Sequence, residues 1–377
     1  MLKNLYGEKG VALSQQELNS IFASQGRYAI CRGGQFTRLR SANLDGLNMA
    51  NRNLKEADFS GTSLVNANMC GSNLTRASLF CADLRGCNLQ NANLTGADMR
   101  GASFKGAKLS FAVLDSADLR AGMMMCVTAS GDASILDRGD LSKGTNGESG
   151  AVDFSNCSMK GTSFGNAKLD SANFEGALLV GARFRGARLT NASFRGAVLM
   201  GVNLNELDVP PDALKDCVLD VSAQALAKSA DLKARLDAHH TWVATEGKQG
   251  ASAVLDGEDL RPLRKQFATR SLIGLSARQT IAIGVDFSEC QLQGAKFDGA
   301  DLRDANFTGA DLSGASLKGA KLGHAKFDEA KLRNLQLLSG EIVPPDLTEA
   351  EATEEQFQRA SLDDSISALG LPNAILA

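Results

Sequence analysis

The sequence predicts an all-β solenoid with helical additions, built as two solenoid units joined by a helical linker. Three observations carry this expectation. Large apolar side chains recur every five residues through about half of the 377-residue chain. The residue two places before each of them is usually small. The tetrapeptide Val-Pro-Pro-Asp closes the second and third periodic runs, at Val209 and at Val343, and a helical stretch lies between the two copies.

Composition sets the frame. Hydrophobic residues make up 44% and charged residues 22%, which is the balance of a globular chain. A formal net charge of −3 speaks against a basic, phosphate-seeking protein, so direct nucleic-acid binding is not expected. No apolar run approaches the roughly 20 residues that span a bilayer, and no membrane span is expected. Residues 1–10 lack the apolar stretch of a secretory signal, so a cytosolic chain with reduced thiols is expected. None of the 8 cysteines forms a Cys-x-x-Cys pair.

The period is exact over three runs: Leu44 to Leu119, Phe154 to Leu204 and Phe287 to Ile342. Together they hold 39 pentads, each with Leu, Met, Phe or Ile at its centre. Two residues earlier the chain carries Ala in 26 of the 39, and Cys87, Cys157, Cys290, Thr62, Ser72 and Thr162 among the rest. A helix repeats every 3.6 residues and a strand every two, so neither fits. A chain that turns a corner every five residues does fit. The centre and the residue two before it then point inward together, as alternate residues of an extended segment do. Glycine two after the centre, as at Gly96, Gly101 and Gly186, suits the corner backbone.

Stretches such as Ala92-Asn93-Leu94-Thr95-Gly96 and Ala310-Asp311-Leu312-Ser313-Gly314 resemble the pentapeptide-repeat family. The resemblance implies a right-handed quadrilateral parallel β-helix with four pentads per coil. On that rule the runs make roughly four, three and three coils, each stabilised by its neighbours. From Phe154 to Phe194 phenylalanine recurs every ten residues, so two columns of stacked rings are expected.

The elements follow in order. Residues 1–38 read as a helical cap: Ser14 and Glu17 make a capping box, the helix runs to Ser24, and Gly26 ends it. Residues 39–209 form the first β-helix. Arg52 occupies a small inward slot, where a buried charge is costly, so a bulge or an outward swing is expected there. Residues 125–151 are rich in Gly, Ser and Asp and leave the register unchanged, hence an ejected loop without structure of its own, either functional or disordered. Residues 210–250 form the linker, helical from Ala223 to Thr245, with Gly247 and Gly250 after it. Residues 251–343 form the second β-helix, with a degenerate restart at Leu255 and Leu260. Each Pro-Pro pair is expected to stop the stacking, because proline cannot donate to a strand ladder. Residues 344–377 are then an acidic helical tail.

Candidate chemistry is sparse, and no catalytic, cofactor-binding or metal-binding residue is assigned. His239 and His240 sit beside Asp237, but helical neighbours do not share a face and no third ligand lies at useful spacing. His324 falls on an outer position. Cys87, Cys157 and Cys290 act as small hydrophobes in the inward slot. Met123, Met124 and Met125 at the loop entrance are expected to plug the end of a coil rather than to form an adaptable contact surface. The Asp and Asn before many centres recur throughout, which suits turn and surface roles better than one catalytic pair. No phosphate-binding glycine motif occurs.

These readings favour a non-enzymatic protein-interaction scaffold with an unknown protein partner. Its contact elements are the 125–151 loop, the linker helix and a C-terminal helix carrying Ile366, Leu369, Leu371, Ile375 and Leu376, through which a homodimer could form. The resemblance offers an alternative, since some family members bind type II topoisomerases by imitating DNA. That role needs a densely negative rod. Here residues 39–124 and 152–206 each carry a net +2, residues 285–341 carry −2, and the −6 of residues 342–377 lies in the tail. An enzyme of unknown type is the most remote reading.

Overall fold

The computed structural model describes residues 12–20, 39–122, 124–127, 133–136 and 151–362. The residue before each centre bridges, in parallel, the residue 20 places on, as in Asn43–Ser63, Ser63–Asp83 and Asp83–Ser103. Four pentads therefore complete one turn of the chain. Each rung has two hydrogen bonds: Leu64 N–H donates to Asp83 O at 2.8 Å, and Asp83 N–H donates to Thr62 O at 2.9 Å. At each corner the residue two before a centre donates to the preceding centre, as Ala57 does to Leu54 O at 3.0 Å. The corner residue before it takes a left-handed backbone, with φ of +59° at Glu56 and +67° at Gly61. That is why Gly and Asn crowd this position.

Inside, centres and small residues form a dry core, with Leu94 and Leu109 fully buried and Met99 and Phe104 at 1% exposure. Where the small slot is polar, it is satisfied: Thr62 Oγ1 donates to Leu39 O at 2.6 Å and Thr162 Oγ1 to Leu114 O at 2.7 Å. The phenylalanines stack in columns. Ring centroids lie 5.2 Å apart for Phe154–Phe174, 5.0 Å for Phe174–Phe194 and 4.8 Å for Phe164–Phe184, all near parallel. Adjacent columns meet edge to face, as in Phe164–Phe174 at 85°.

The chain divides into two compact units, Met1–Asp220 and Val221–Ala377. In the first, residues 15–20 are helical (α1). Ser14 and Glu17 exchange the capping-box hydrogen bonds, with Ser14 N–H to Glu17 Oε2 at 2.9 Å. Gln15 covers the first coil by a reciprocal pair, its Nε2 donating to Asn48 O at 2.9 Å and its Oε1 accepting Asn48 N–H at 2.8 Å. One amide side chain thus stands in for a missing strand. Arg52 swings outward, as expected, and reaches Asn19 Oδ1 at 3.3 Å. The reading of residues 21–38, including the helix end near Gly26, lies outside the described residues.

A segment leaves the coil after Ala121. Lys108 bridges Asp153, 45 residues on rather than 20, so 25 residues leave the coil. They are not without structure: β1 (Met124–Val127) pairs antiparallel with β2 (Ala133–Leu136). The side chains of Met123, Met124 and Met125 lie outside what is described, and so does their role as a plug.

Neither Pro-Pro pair ends the stacking. After Pro210 and Pro211 the chain makes a 3-10 turn (Pro211–Leu214) and returns for one more rung, Val198–Val218. The prolines sit in the excursion, where no ladder N–H is required. Leu204, which fits the period, is 36% exposed and belongs to this excursion rather than to the core.

In the second unit, α2 (Ala223–Ala227) is capped by Ser222, whose Oγ accepts Ala225 N–H at 3.1 Å. It leads into α3 (Ser229–Ala244). Leu232 and Leu236 of α3 join the same core as Leu255, Leu260 and Phe267, so α3 covers the first coil of this unit. The β-helix starts at Leu255, well before the periodic run in the sequence. Its centres include Ala277 and Ala282, too small to register as large apolar positions, and Val254–Ser276 spans 22 residues because the first coil carries two extra.

The far end departs most from expectation. β3 (Lys331–Leu332) pairs in parallel with β6 (Ser361–Leu362). Between them β4 (Leu335–Gln336) and β5 (Ile342–Val343) form an antiparallel hairpin. Ser316 bridges Asp346, 30 residues on, so ten residues are extruded and the β-helix resumes after Pro345. Leu337 and Ile342 keep the period yet lie on this hairpin, 39% and 62% exposed. Residues 346–362 are therefore the last coil and not part of a helical tail. Phe357 packs on Phe327 at 4.6 Å, and Gln356 Nε2 caps Leu322 O and Ala325 O at 2.7 and 2.9 Å. Residues 363–377, with Ile366 to Leu376, lie outside the described residues.

Candidate interaction surfaces

The outer surface is built from the residues on either side of each centre. Asp or Asn before the centre uses its side-chain oxygen locally: Asn73 Oδ1 accepts Thr75 N–H at 3.1 Å and Asn93 Oδ1 accepts Thr95 N–H at 3.0 Å. These columns are turn devices, which agrees with the surface role read from their recurrence. Where Arg follows the centre, it folds back on the preceding Asp. The triplet Asp-Leu-Arg or Asp-Met-Arg occurs at Asp83, Asp98, Asp118, Asp259 and Asp301. Each makes a two-pronged pair, such as Arg303 Nε–Asp301 Oδ1 at 2.8 Å and Arg261 Nη2–Asp259 Oδ2 at 2.6 Å. Residues two apart on an extended segment share a face, so this pairing was legible in the sequence and was missed.

The pairing shapes the electrostatics. Burial opposes ionisation of Asp118, but the hydrogen bonds and charge of Arg120, with Arg100 beyond, outweigh it and hold the carboxyl below the usual carboxylate range. Carboxylates neutralised in place cannot imitate a run of phosphates.

His239 is fully buried, and its Nδ1 accepts Ala253 N–H at 3.0 Å. His240 Nδ1 accepts Ser271 N–H at 3.1 Å. Asp237 does not join either ring: Lys233 at 2.6 Å and Arg270 at 2.7 Å hold it low. Asp237, His240 and Arg270, with Thr241, Lys265 and Gln266, line an open polar cleft of about 620 Å³. Among the described residues no three His, Cys, Asp or Glu side chains cluster as metal ligands. Nor is any helix among them long and apolar enough to cross a membrane. His324 occupies a left-handed corner with φ of +60°. The inward thiols are inert: burial pushes Cys87 up to about 12 and Cys290 to about 11, and Cys157 well above its ordinary value.

The β4–β5 hairpin carries three exposed apolar residues. Leu338 at its tip is wholly exposed, beside Leu337 and Ile342. Leu335 leans on the solenoid at Gly314, where a Cβ would stand 2.5 Å from that of Leu335.

A parallel ladder advancing four pentads per turn, with a dry interior and a self-paired surface, defines a β-helical repeat protein. The chain belongs to the pentapeptide repeat family, whose members fold as right-handed β-helices; the family model matches residues 35–69, 53–91, 82–120, 151–186, 177–209, 271–309 and 295–334. No curated protein matches the chain. Solved structures similar to it include a pentapeptide repeat protein of the Arabidopsis thaliana thylakoid lumen, 25% identical over 41% of this chain and 72% of its own, with a TM-score of 0.22. HetL of the cyanobacterium Nostoc sp. strain PCC 7120, involved in heterocyst differentiation regulation, is 20% identical over 87% of this chain and 92% of its own, with a TM-score of 0.13. Full-length QnrB1, a plasmid-mediated fluoroquinolone resistance protein, is 16% identical over 91% of this chain and 92% of its own, with a TM-score of 0.14.

Proposed function

We propose that the protein is a non-enzymatic interaction scaffold: two quadrilateral β-helical units that present extruded elements to a protein partner in the cytosol. The observation that carries this reading is the β4–β5 hairpin, which places Leu338 wholly in solvent beside the exposed Leu337 and Ile342. DNA mimicry is the weaker reading, because Asp-Leu-Arg and Asp-Met-Arg pairs neutralise five of the outer carboxylates. The linker helix is also weaker as a contact element than the sequence suggests, since Leu232 and Leu236 are already buried.

Excising residues 335–344 together with Pro345→Ala joins Asn334 to Ala-Asp346-Leu347, a regular pentad in unbroken register. The variant should keep the β-helix by circular dichroism and lose the partner captured by the intact protein from native cytosol. A partner retained in full by the folded variant would reject the hairpin as the contact. The reading includes self-association through residues 363–377. Light scattering should then give half the mass for a chain ending at 362, and an unchanged mass removes the dimer.

A further inference from the structure

A β-helix leaves strand groups without partners at each open end. At the start of the second unit two adjacent imidazoles answer for them. His239 Nδ1 accepts Ala253 N–H and His240 Nδ1 accepts Ser271 N–H, at 3.0 and 3.1 Å. Neighbours on a helix point in different directions, so the two rings grip different parts of the coil. An imidazole nitrogen accepts only while it carries no proton. A second proton on either ring would put an N–H against an N–H, and for His239 it would do so at zero exposure. We propose that this histidine pair makes α3 an acid-released latch on the first coil of the second unit.

The charges around the rings favour release. His240 faces Asp237 on its own helix, and Lys265 and Arg270 from the segment entering the second coil. Asp237 is already held by Lys233 and Arg270, so a new imidazolium meets cations rather than an available carboxylate. Glu258, the acid on the first coil that faces α3, is taken by Lys228 at 3.0 Å and Arg235 at 2.9 Å. His239 faces the Trp242 ring at 5.7 Å and the backbone of Leu272 and Ile273. Burial lowers the pKa of His239, against those backbone contacts. The sign follows. On the detached helix His239 takes up a proton below the ordinary histidine value of about 6.5, while in the latched state its burial resists it. The latch is therefore complete above that pH and weakens as pH falls. Release uncovers the edge N–H groups and the layer of Leu255, Leu260 and Phe267.

Trp242, the chain's 1 Trp, lies on α3 beside His239 and reports the helix directly. The full-length protein is titrated from pH 8 to 5, above the carboxylate range, and acrylamide quenching of Trp242 is followed. Quenching should rise about threefold with a midpoint below 6.5, while the β-helical circular dichroism persists. In His239→Gln/His240→Gln the amide oxygens still accept the two N–H groups but do not titrate, and the rise should vanish. If that variant fails to fold, His239→Gln alone should remove most of the rise, and in the wild type the His239 ring carbons should titrate together with the Trp242 signal. Flat quenching in the wild type, an undiminished rise in the glutamine variant, or ring titration that leaves quenching unchanged overturns the latch.

Discussion

Asp301 and Arg303 show how one motif takes two energetic characters. Their side chains are 14% and 5% exposed, whereas Asp118 and Arg120, in the same triplet, are 27% and 53% exposed. A guanidinium left nearly buried without its carboxylate costs on the order of 3 kcal/mol. An exposed pair is worth far less. Asp301→Asn should therefore lower the urea midpoint clearly and Asp118→Asn hardly at all, with the slope unchanged in both. Equal effects would show that burial is not what sets the value of the pair. The inward residues were legible because each repeats one geometric demand. Leu94 must fill, Ala92 must be small, and Arg52 breaks the second rule and leaves the core for Asn19. The Asp-Leu-Arg pairing needs a two-residue reading inside a five-residue period, and the dominant period hid it. Ala277 and Ala282 were missed for the opposite reason: they sit at true centres but lack the size that marks one.

Extrusions follow a rule of phase. A segment can leave the coil and return without disturbing the faces if its length is a multiple of five. The ejections after Ala121 and after Arg333 obey it, with ladder steps of 45 and 30 in place of 20. A periodicity test sees phase and not turn number, so Leu337 and Ile342 looked like core. The Pro-Pro pairs looked like stops for a related reason: proline's missing donor was legible, but its place outside the ladder was not. The β4–β5 hairpin is held by a close approach that only glycine permits. Gly314, at φ +65°, would put a Cβ 2.5 Å from Leu335 Cβ and 3.1 Å from Val343 O. Gly319, at φ +63°, has nothing within 4 Å. Both Ala substitutions carry the left-handed backbone penalty of about 1–2 kcal/mol, and Gly314→Ala must also displace the hairpin. It should speed proteolysis near Leu338 severalfold while Gly319→Ala leaves it unchanged. Equal cleavage in the two would show that Leu335 is not what docks the hairpin.

At the scale of the molecule there are two cores. One runs from Leu13 to Leu207 and the other from Leu232 to Phe357, and no buried residue is common to both. The last rung of the first unit is Val198–Val218 and the first rung of the second is Val254–Ser276. In a stacked array, stability is set by repeats and their nearest neighbours, so a unit that holds its own rungs can fold by itself. The first unit closes its starting edge with Gln15, and the second closes its two ends with α3 and Gln356. The chain divided between Asp220 and Val221 should therefore give two polypeptides that each fold. Expressed separately, residues 1–220 and 221–377 should each show a β-rich spectrum and a cooperative thermal transition of their own. Release of α3 by acid should appear in the second polypeptide alone, since it carries all 3 histidines. If either piece is unfolded by itself, the two cores depend on one another in a way the ladder does not record, and the one-dimensional account of this chain fails.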